Sequence, residues 1–312
     1  MKISVVLVTK RKEPRFDWAL ESLKNQTFKD FEYIIVDGYW HQRKDEVKNL
    51  VEKNGIKFPV LHIPDKPTRW RGQRPQISNA RNTGLIFARG EYIVHHDDNC
   101  KMPLNWLEKH LKWLEKGYFV AGSWIGYQFI IGDNQGVEGS YGPEYRIKLI
   151  QEPKVMTGGW FFCGNCSYPL NPVLDINGFD EEYDGEIGQE DLQLGMRLEN
   201  KGLKMIFDPT NLVEYYMMTH RYEKMIAPVN KILKDGVPHF SNEWLTQKFM
   251  DDHGRVMPYG NVIDLKGTKK MMKEGNYSIE KMYEMMEGWI NPDKYDWRDG
   301  KLIDEKLKLE GN

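Results

Sequence analysis

Gly90-Glu91-Tyr92-Ile93-Val94-His95-His96-Asp97-Asp98-Asn99 opens on a turn residue, runs on as a short apolar strand and stops at two adjacent carboxylates. A buried strand ending in paired acids puts negative charge at the carboxyl edge of a sheet, where open α/β sheets bind ligands. Charge there is costly without compensation. A divalent cation shared between protein carboxylates and a substrate's phosphates supplies it. Two solvated acids in an ordinary loop would give the same pair, so the weight falls on its neighbours.

Upstream, Ile3–Thr9 is β-branched and apolar, as in a central parallel strand. It leads into Lys10-Arg11-Lys12-Glu13-Pro14-Arg15, not into Gly-x-Gly-x-x-Gly, which argues against a dinucleotide-binding domain. A basic loop there suits a phosphate or nucleotide as well as it suits solvent. Asp17 is expected to cap a helix running to about Asn25. Phe31–Val36 reads as a second strand, and Asp37-Gly38 at its end is placed to accept hydrogen bonds from a base or sugar. Gln42–Asn54 reads as a charged surface helix and Pro59–Ile63 as a third strand. Arg69, Arg71 and Arg74 around Trp70 form a basic connector suited to phosphates. Gln76–Ala88 is apolar at helical spacing.

Downstream, Leu104, Leu107, Leu111 and Leu114 mark a helix face, and Tyr118–Ile125 another strand. This alternation predicts a parallel sheet with helices on both faces. Residues 126–153 lack periodicity and read as a long connection over the sheet edge. Gly158-Gly159-Trp160-Phe161-Phe162-Cys163-Gly164-Asn165-Cys166 is Gly-rich and aromatic, as where backbone approaches a ligand, so Gly159 and Trp160 are candidate binding residues. Its Cys-x-x-Cys has no second ligand pair for zinc, and Pro169 and Pro172 crowd it as a redox motif. Glu190-Asp191 opens a helix carrying Leu192, Leu194, Met196 and Leu198, with a stop at Lys201-Gly202. Leu203–Asp208 and Val213–Thr219 read as two strands. From Tyr222 the chain becomes Lys- and Met-rich and helical in pattern, with Met282, Met285, Met286 and Trp289 as a packing stripe.

The 312 residues suit one α/β domain (1–221) plus a mainly helical extension (222–312) that packs on it or on another subunit, the latter giving a homo-oligomer. A net charge of −2 gives no overall field for nucleic acid or anionic membrane. Three cysteines are too few for a disulfide framework and point to a reducing compartment. The first apolar run is short and meets Lys10-Arg11-Lys12 instead of a cleavage site. No run approaches a membrane span, so a cytoplasmic protein is expected.

Several of these pieces fall in a recognisable order: Ile3–Thr9, Val36-Asp37-Gly38, Ser78-Asn79-Ala80-Arg81-Asn82-Thr83-Gly84, Gly90–Ile93 with Asp97-Asp98-Asn99, Gly178-Phe179-Asp180-Glu181, and Glu190-Asp191. In that order the chain, from Ile3 to about Arg221, resembles family 2 glycosyltransferases of the nucleotide-sugar-binding GT-A fold. The resemblance implies a mostly parallel, Rossmann-like sheet and an inverting transfer from a nucleotide-diphosphate sugar to a hydroxyl of a glycan-type acceptor, with Mn²⁺ or Mg²⁺ as cofactor. It implies that Thr9 lines the nucleotide pocket and that Asp37 reads the base, uracil or thymine, which favours UDP or dTDP donors. It places Arg81 near the diphosphate, Asp97 near the ribose or sugar, and Asp98 on the metal. Asp191 becomes the catalytic base, Glu190 a contact to acceptor or sugar, and His220 a residue closing on the metal. The Asp-x-Asp motif of the family is shortened here to Asp97-Asp98-Asn99.

A nucleotidyltransferase of similar plan would carry a Gly-rich basic loop after the first strand, and 10–15 has no glycine. A degenerate nucleotide-sugar binder would have lost Asp98 or Asp191. Overall neutrality gives a nucleic-acid acceptor little support. A processive synthase would add membrane spans and Gln-x-x-Arg-Trp after Asp191. Sugar and acceptor are not specified by these residues.

Overall fold

The structure is a computed structural model that describes residues 1–68, 76–131, 140–185, 188–220, 242–251, 254, 256–258, 260–291, 295–296 and 301–302. The basic connector around Trp70 lies outside these residues.

The first half alternates as its apolar runs predict: β1 (Ile3–Thr9), α1 (Phe16–Lys24), β2 (Phe31–Asp37), α2 (Trp40–Lys53), β3 (Val60–Ile63), α3 (Ile77–Phe87) and β4 (Tyr92–His96). β2, β1 and β4 lie side by side in parallel, with β3 beyond β2. Successive strand residues face opposite sides. Val6, Ile34 and Val36 therefore enter one core, while Val5, Leu7, Tyr33 and Ile35 enter the other. With both faces covered, the run needs no polar alternation. Asp17 lies in the first turn of α1 and not at its cap; Arg15 takes the cap position and donates to Asp17 from Nε at 2.9 Å.

After β4 come β5 (Cys100–Lys101), α4 (Trp106–Leu114), β6 (Tyr118–Ile131), β7 (Ser140–Pro143), α5 (Tyr145–Leu149), β8 (Lys154–Met156), β9 (Asn165–Pro169), α6 (Leu170–Asp175), α7 (Glu190–Asn200) and β10 (Lys204–His220). Among the described residues the main sheet runs β3-β2-β1-β4-β9-β6-β10-β5, with β7 on β6 and β8 on β10. β9 is antiparallel to both β4 and β6. Its N-terminal end therefore reaches the edge where the parallel strands end.

Three differences from the sequence reading have physical causes. β6 continues to Ile131, where a loop was expected, because it pairs with β10 along its length. The two expected late strands are one strand, β10, whose register shifts between Phe207 and Leu212; Pro209 there has no N–H for the ladder. The ligand-approach stretch 158–166 runs into β9 at Asn165, a short strand buried on both faces, with Cys166 and Ser167 at 0% exposure; the glycines before it hid the strand.

α8 (Asn242–Asp251), α9 (Leu265–Gly275) and α10 (Ile279–Ile290) complete the described helices. Met282 and Met286 are fully buried in the core that holds Val6 and Ile34, whereas Trp289 is 40% exposed. Lys269 Nζ donates to the carbonyls of Leu85 (3.2 Å), Ile86 (2.9 Å) and Ala88, the open C-terminal end of α3. Tyr283 donates to the carbonyl of Pro64. Among the described residues no helix is long and apolar enough to cross a membrane.

Candidate active site

The carboxyl ends of β1, β2 and β4 meet at one edge, with Thr9 level with Asp37 and Leu7 level with His96. Asp98 follows β4 and is 8% exposed. Its Oδ2 accepts from Thr9 Oγ1 at 2.5 Å, and Arg11 Nε lies 3.0 Å from Oδ1 and 3.2 Å from Oδ2. Its carbonyl accepts from the Arg15 amide at 3.0 Å. Asp37 is fully buried. Its Oδ1 accepts from the Tyr39 amide (2.8 Å) and Arg43 Nη2 (2.6 Å), and its Oδ2 from Arg43 Nε (2.6 Å), with His62 Nε2 3.0 Å from Oδ2. Burial works against that charge, but the Arg43 and His62 hydrogen bonds hold the carboxyl below its usual range. Placed this way, Asp37 anchors Arg43, and Arg43 in turn donates to the carbonyls of Arg11 and Lys12 at 2.9 Å each. Asp37, expected to read a base, is held here by Arg43, the Tyr39 amide and His62.

Asp97 points the other way. A methyl placed on Gly164 would come within 3.0 Å of its Oδ2. Its carboxylate accepts no hydrogen bond from the described residues. Burial, then the neighbouring Asp98, push it up to about 6, against the pull of Arg81 and Arg11. Cys163, one residue before Gly164, donates its amide to Asp191 Oδ2 at 3.0 Å. Two consecutive residues ahead of β9 thus lie against Asp97 and Asp191, and both acids feel the same Arg81 and Glu190. Between them lies Arg81 of α3, buried, with Nη1 2.6 Å from Glu190 Oε1.

α7 presents Glu190 and Asp191 in its first turn after Gly188 (φ +94) and Gln189 (φ +70). A left-handed Gln is strained, and such strain gathers at functional sites. Asp191 Oδ1 accepts from the Leu192 amide at 2.9 Å. Burial, then Glu190, push Asp191 up to about 7, while Arg81 opposes them. α7 is seated by Gly195, whose backbone lies against that of Gly158 with no room for a side chain on either. Asp184 fixes the approach to α7 by accepting from the Ser78 and Asn79 amides (2.8 and 3.1 Å) in the first turn of α3.

The structure therefore gathers Thr9, Arg81, Asp97, Asp98, Glu190 and Asp191, with Asp37 one residue layer away behind Arg43. Gly159 and Trp160 sit in a short turn against α7, and among the described residues no bond ties them to those acids; the Trp160 carbonyl accepts from Arg146 at 2.5 Å. His220 ends β10, and its side chain lies outside the described residues. Sequence reading covered Arg11 only as part of a basic loop and Cys163 only as part of the stretch 158–166, and it passed over Arg43 and Asp184. The basic run 10–12 was the one signal for Arg11; the others depend on pairings across the fold.

The family model described as Glycosyl transferase family 2 matches residues 4–168. The chain belongs to glycosyl transferase family 2. This family 2 chain is 29% identical over 156 residues to an uncharacterized glycosyltransferase of Methanocaldococcus jannaschii, covering 48% of this chain and 50% of that one. It is 25% identical over 228 residues to the amylovoran biosynthesis glycosyltransferase AmsB of Erwinia amylovora, covering 70% and 71%. The chain thus spans half the length of the first relative. A crystal structure of GalNAc-T7 with UDP, GalNAc and Mn²⁺ superposes with a TM-score of 0.54 at 15% identity, over 91% of this chain and 56% of that one. That likeness concerns the fold alone, the GT-A plan. The described sheet and its flanking helices are the α/β architecture expected of the family.

Proposed function

We propose that this chain transfers a sugar from a nucleotide-diphosphate sugar to an acceptor hydroxyl, with inversion at the anomeric carbon and a divalent cation, Mn²⁺ or Mg²⁺, at Asp97-Asp98. The observation carrying this reading is the pairing of Asp97 and Asp191 across Cys163-Gly164, two carboxyl groups of raised pKa that share Arg81 as a neighbour.

The residues present fit a cation. Asp97 is a hard oxygen donor with no hydrogen bond from the described residues, and no cluster of three or more ligating side chains occurs among them. Magnesium-like sites use one or two carboxylates and take the remaining ligands from water and substrate phosphates. When bound, the cation would supply Lewis-acid charge for the departing diphosphate. Asp191 accepts the proton of the attacking hydroxyl. Its carboxyl, poised near neutrality, is matched to that task, and the Cys163 and Leu192 amides fix its orientation. Glu190, locked by Arg81, lines the acceptor or sugar side. Thr9 and the loop after β1 line the nucleotide side, and UDP- or dTDP-sugars are the donors favoured by the resemblance. The 1–221 unit carries this chemistry, braced by α9 and α10 of the extension, whose Leu265, Met282 and Met286 enter its core. The absence of a long apolar helix among the described residues is compatible with work in the cytoplasm.

Donor hydrolysis with UDP-, dTDP-, GDP- and CMP-sugars, with Mn²⁺ or EDTA, tests the proposal. Turnover that needs the cation and disappears in Asp191→Ala is expected. A wild-type chain inert toward every donor overturns it.

A further inference from the structure

We propose that α8 of the extension fixes the first turn of α7, and that Asn242, through its hydrogen bond to the Gly188 carbonyl, is a positioning residue for Glu190 and Asp191. This rests on the reading of Asp191 as proton acceptor above, and it gives the extension a part in the reaction.

α8 is tied to α7 at both ends. At the leading end Asn242 Nδ2 donates to the Gly188 carbonyl at 2.7 Å. At the far end Asn200, the last residue of α7, donates from Nδ2 to the Gly254 carbonyl at 2.8 Å. The Gly254 amide in turn donates to the carbonyl of Phe249 in α8 at 2.9 Å. Equal lengths of chain separate the two anchors on either side, so the helices lie along each other in the same direction. Between the anchors, Thr246 and the Tyr183 hydroxyl share a hydrogen bond of 3.1 Å. Asn242, Leu245 and Phe249 recur at helical spacing and are all buried. A buried amide requires a partner, and the Gly188 carbonyl is one.

The leading anchor falls where α7 needs one. Gly188 and Gln189 are both left-handed, and Glu190 begins the helix directly after them. The Gln189 carbonyl accepts from the Gln193 amide at 3.0 Å, which closes the first turn. A residue with a side chain keeps a left-handed conformation only where its surroundings over-determine it. Asn242 supplies that constraint one residue earlier. Release of Gly188 lets Gln189 relax, and Glu190 and Asp191 then swing away from Arg81 Nη1 and the Cys163 amide. A displacement of about 1 Å at a reacting group can cost roughly a hundredfold in rate.

Backbone hydrogen exchange of the full chain, read beside the pH dependence of UDP-sugar hydrolysis, tests this. Asn242→Ala should speed exchange of the Gln193 and Cys163 amides by roughly tenfold or more, as when one hydrogen bond is lost. The Lys201 and Gly202 amides, bonded within the last turn of α7, should stay as protected as before. The same variant should lower kcat by roughly ten- to a hundredfold with little change in KM for the donor. The acid limb of its rate profile should move to lower pH, because Asp191 gains water and leaves Glu190, while Arg81 and Cys163 are the other titratable groups facing it. Asn242→Gln keeps the amide donor and should recover part of the rate; Asn242→Asp sets oxygen against oxygen and should not. Asn200→Ala frees the far end of α8. It should lower stability in chemical denaturation and leave kcat and the pH profile unchanged. Wild-type exchange at Gln193 and Cys163 in Asn242→Ala overturns the inference, as does wild-type turnover in that variant, or the same rate loss and pH shift in Asn200→Ala. A wild-type chain that turns over no donor fails at the reading of the site, and the exchange of those two amides still decides whether Asn242 holds α7.

Discussion

At the Thr9 end of the cleft the carboxylates are met by matched donors: Asp98 by Thr9 and Arg11, Asp37 by Arg43, Tyr39 and His62. At the Cys163 end, Asp97, Glu190 and Asp191 gather around the buried Arg81, and two of the three have their protons held more tightly than usual. The first end is complete as it folds. The second gathers three acids around one arginine, and carboxyl groups of raised pKa gather at reactive positions. Matched and unmatched acids are thus separated along one sheet edge.

Removing Arg81 should break the comparison most severely. Arg81→Met leaves Glu190 buried without its partner, a loss of about 3–5 kcal/mol for a broken buried pair. Chemical denaturation should show it, and the apparent pKa of the base should rise further. Asp191→Asn should lower kcat by roughly 10²–10⁴ while KM changes little, the range for a lost general base. Initial rates against acceptor concentration check this.

The pH dependence sharpens the contrast. A base must be deprotonated to work, so log kcat/KM should climb as pH rises toward about 7, where Asp191 titrates, and level off above it. Stability should move the other way. A carboxyl whose folded pKa is raised lends stability at low pH, which is lost as pH rises through that value. Asp191→Asn should therefore melt higher than wild type at pH 8 and close to it near pH 4. A gain independent of pH would contradict the assignment.

Smaller effects lie at the supports. Lys269→Met uncovers the carbonyls at the end of α3 and should cost about 1–2 kcal/mol, with calorimetry as the check. Gly164→Ala puts a methyl 3.0 Å from Asp97 Oδ2. The carboxylate can swing aside, so stability should change by less than about 1 kcal/mol, whereas Mn²⁺ affinity should fall measurably.

The paired end and the open end were not equally legible. The run Ile3–Thr9 and the stretch ending at Asp97-Asp98 announce themselves, because a strand covered on both faces must be apolar throughout. Glu190-Asp191 was legible as a helix start. The partnership of Arg11 with Asp98 spans 87 residues, and no local pattern encodes it. The clamp of Arg43 on Asp37 depends on α2 folding back over β2, which the local sequence does not encode. β9 escaped because glycine and aromatic residues in 158–166 have the composition of a binding loop. Its strand character exists only once β4 and β6 flank it.

The contact of Gly158 with Gly195 carries a consequence for anyone redesigning this protein. Two main chains resting on each other leave no adjustable side chain between them, so the height of α7 above the sheet is set by a hard stop. Any larger residue at either position would lift that helix bodily, and the acids of its first turn, Glu190 and Asp191, would drift out of register with Arg81 and Cys163. Neighbouring segments can be varied without disturbing this stop only if both glycines are kept.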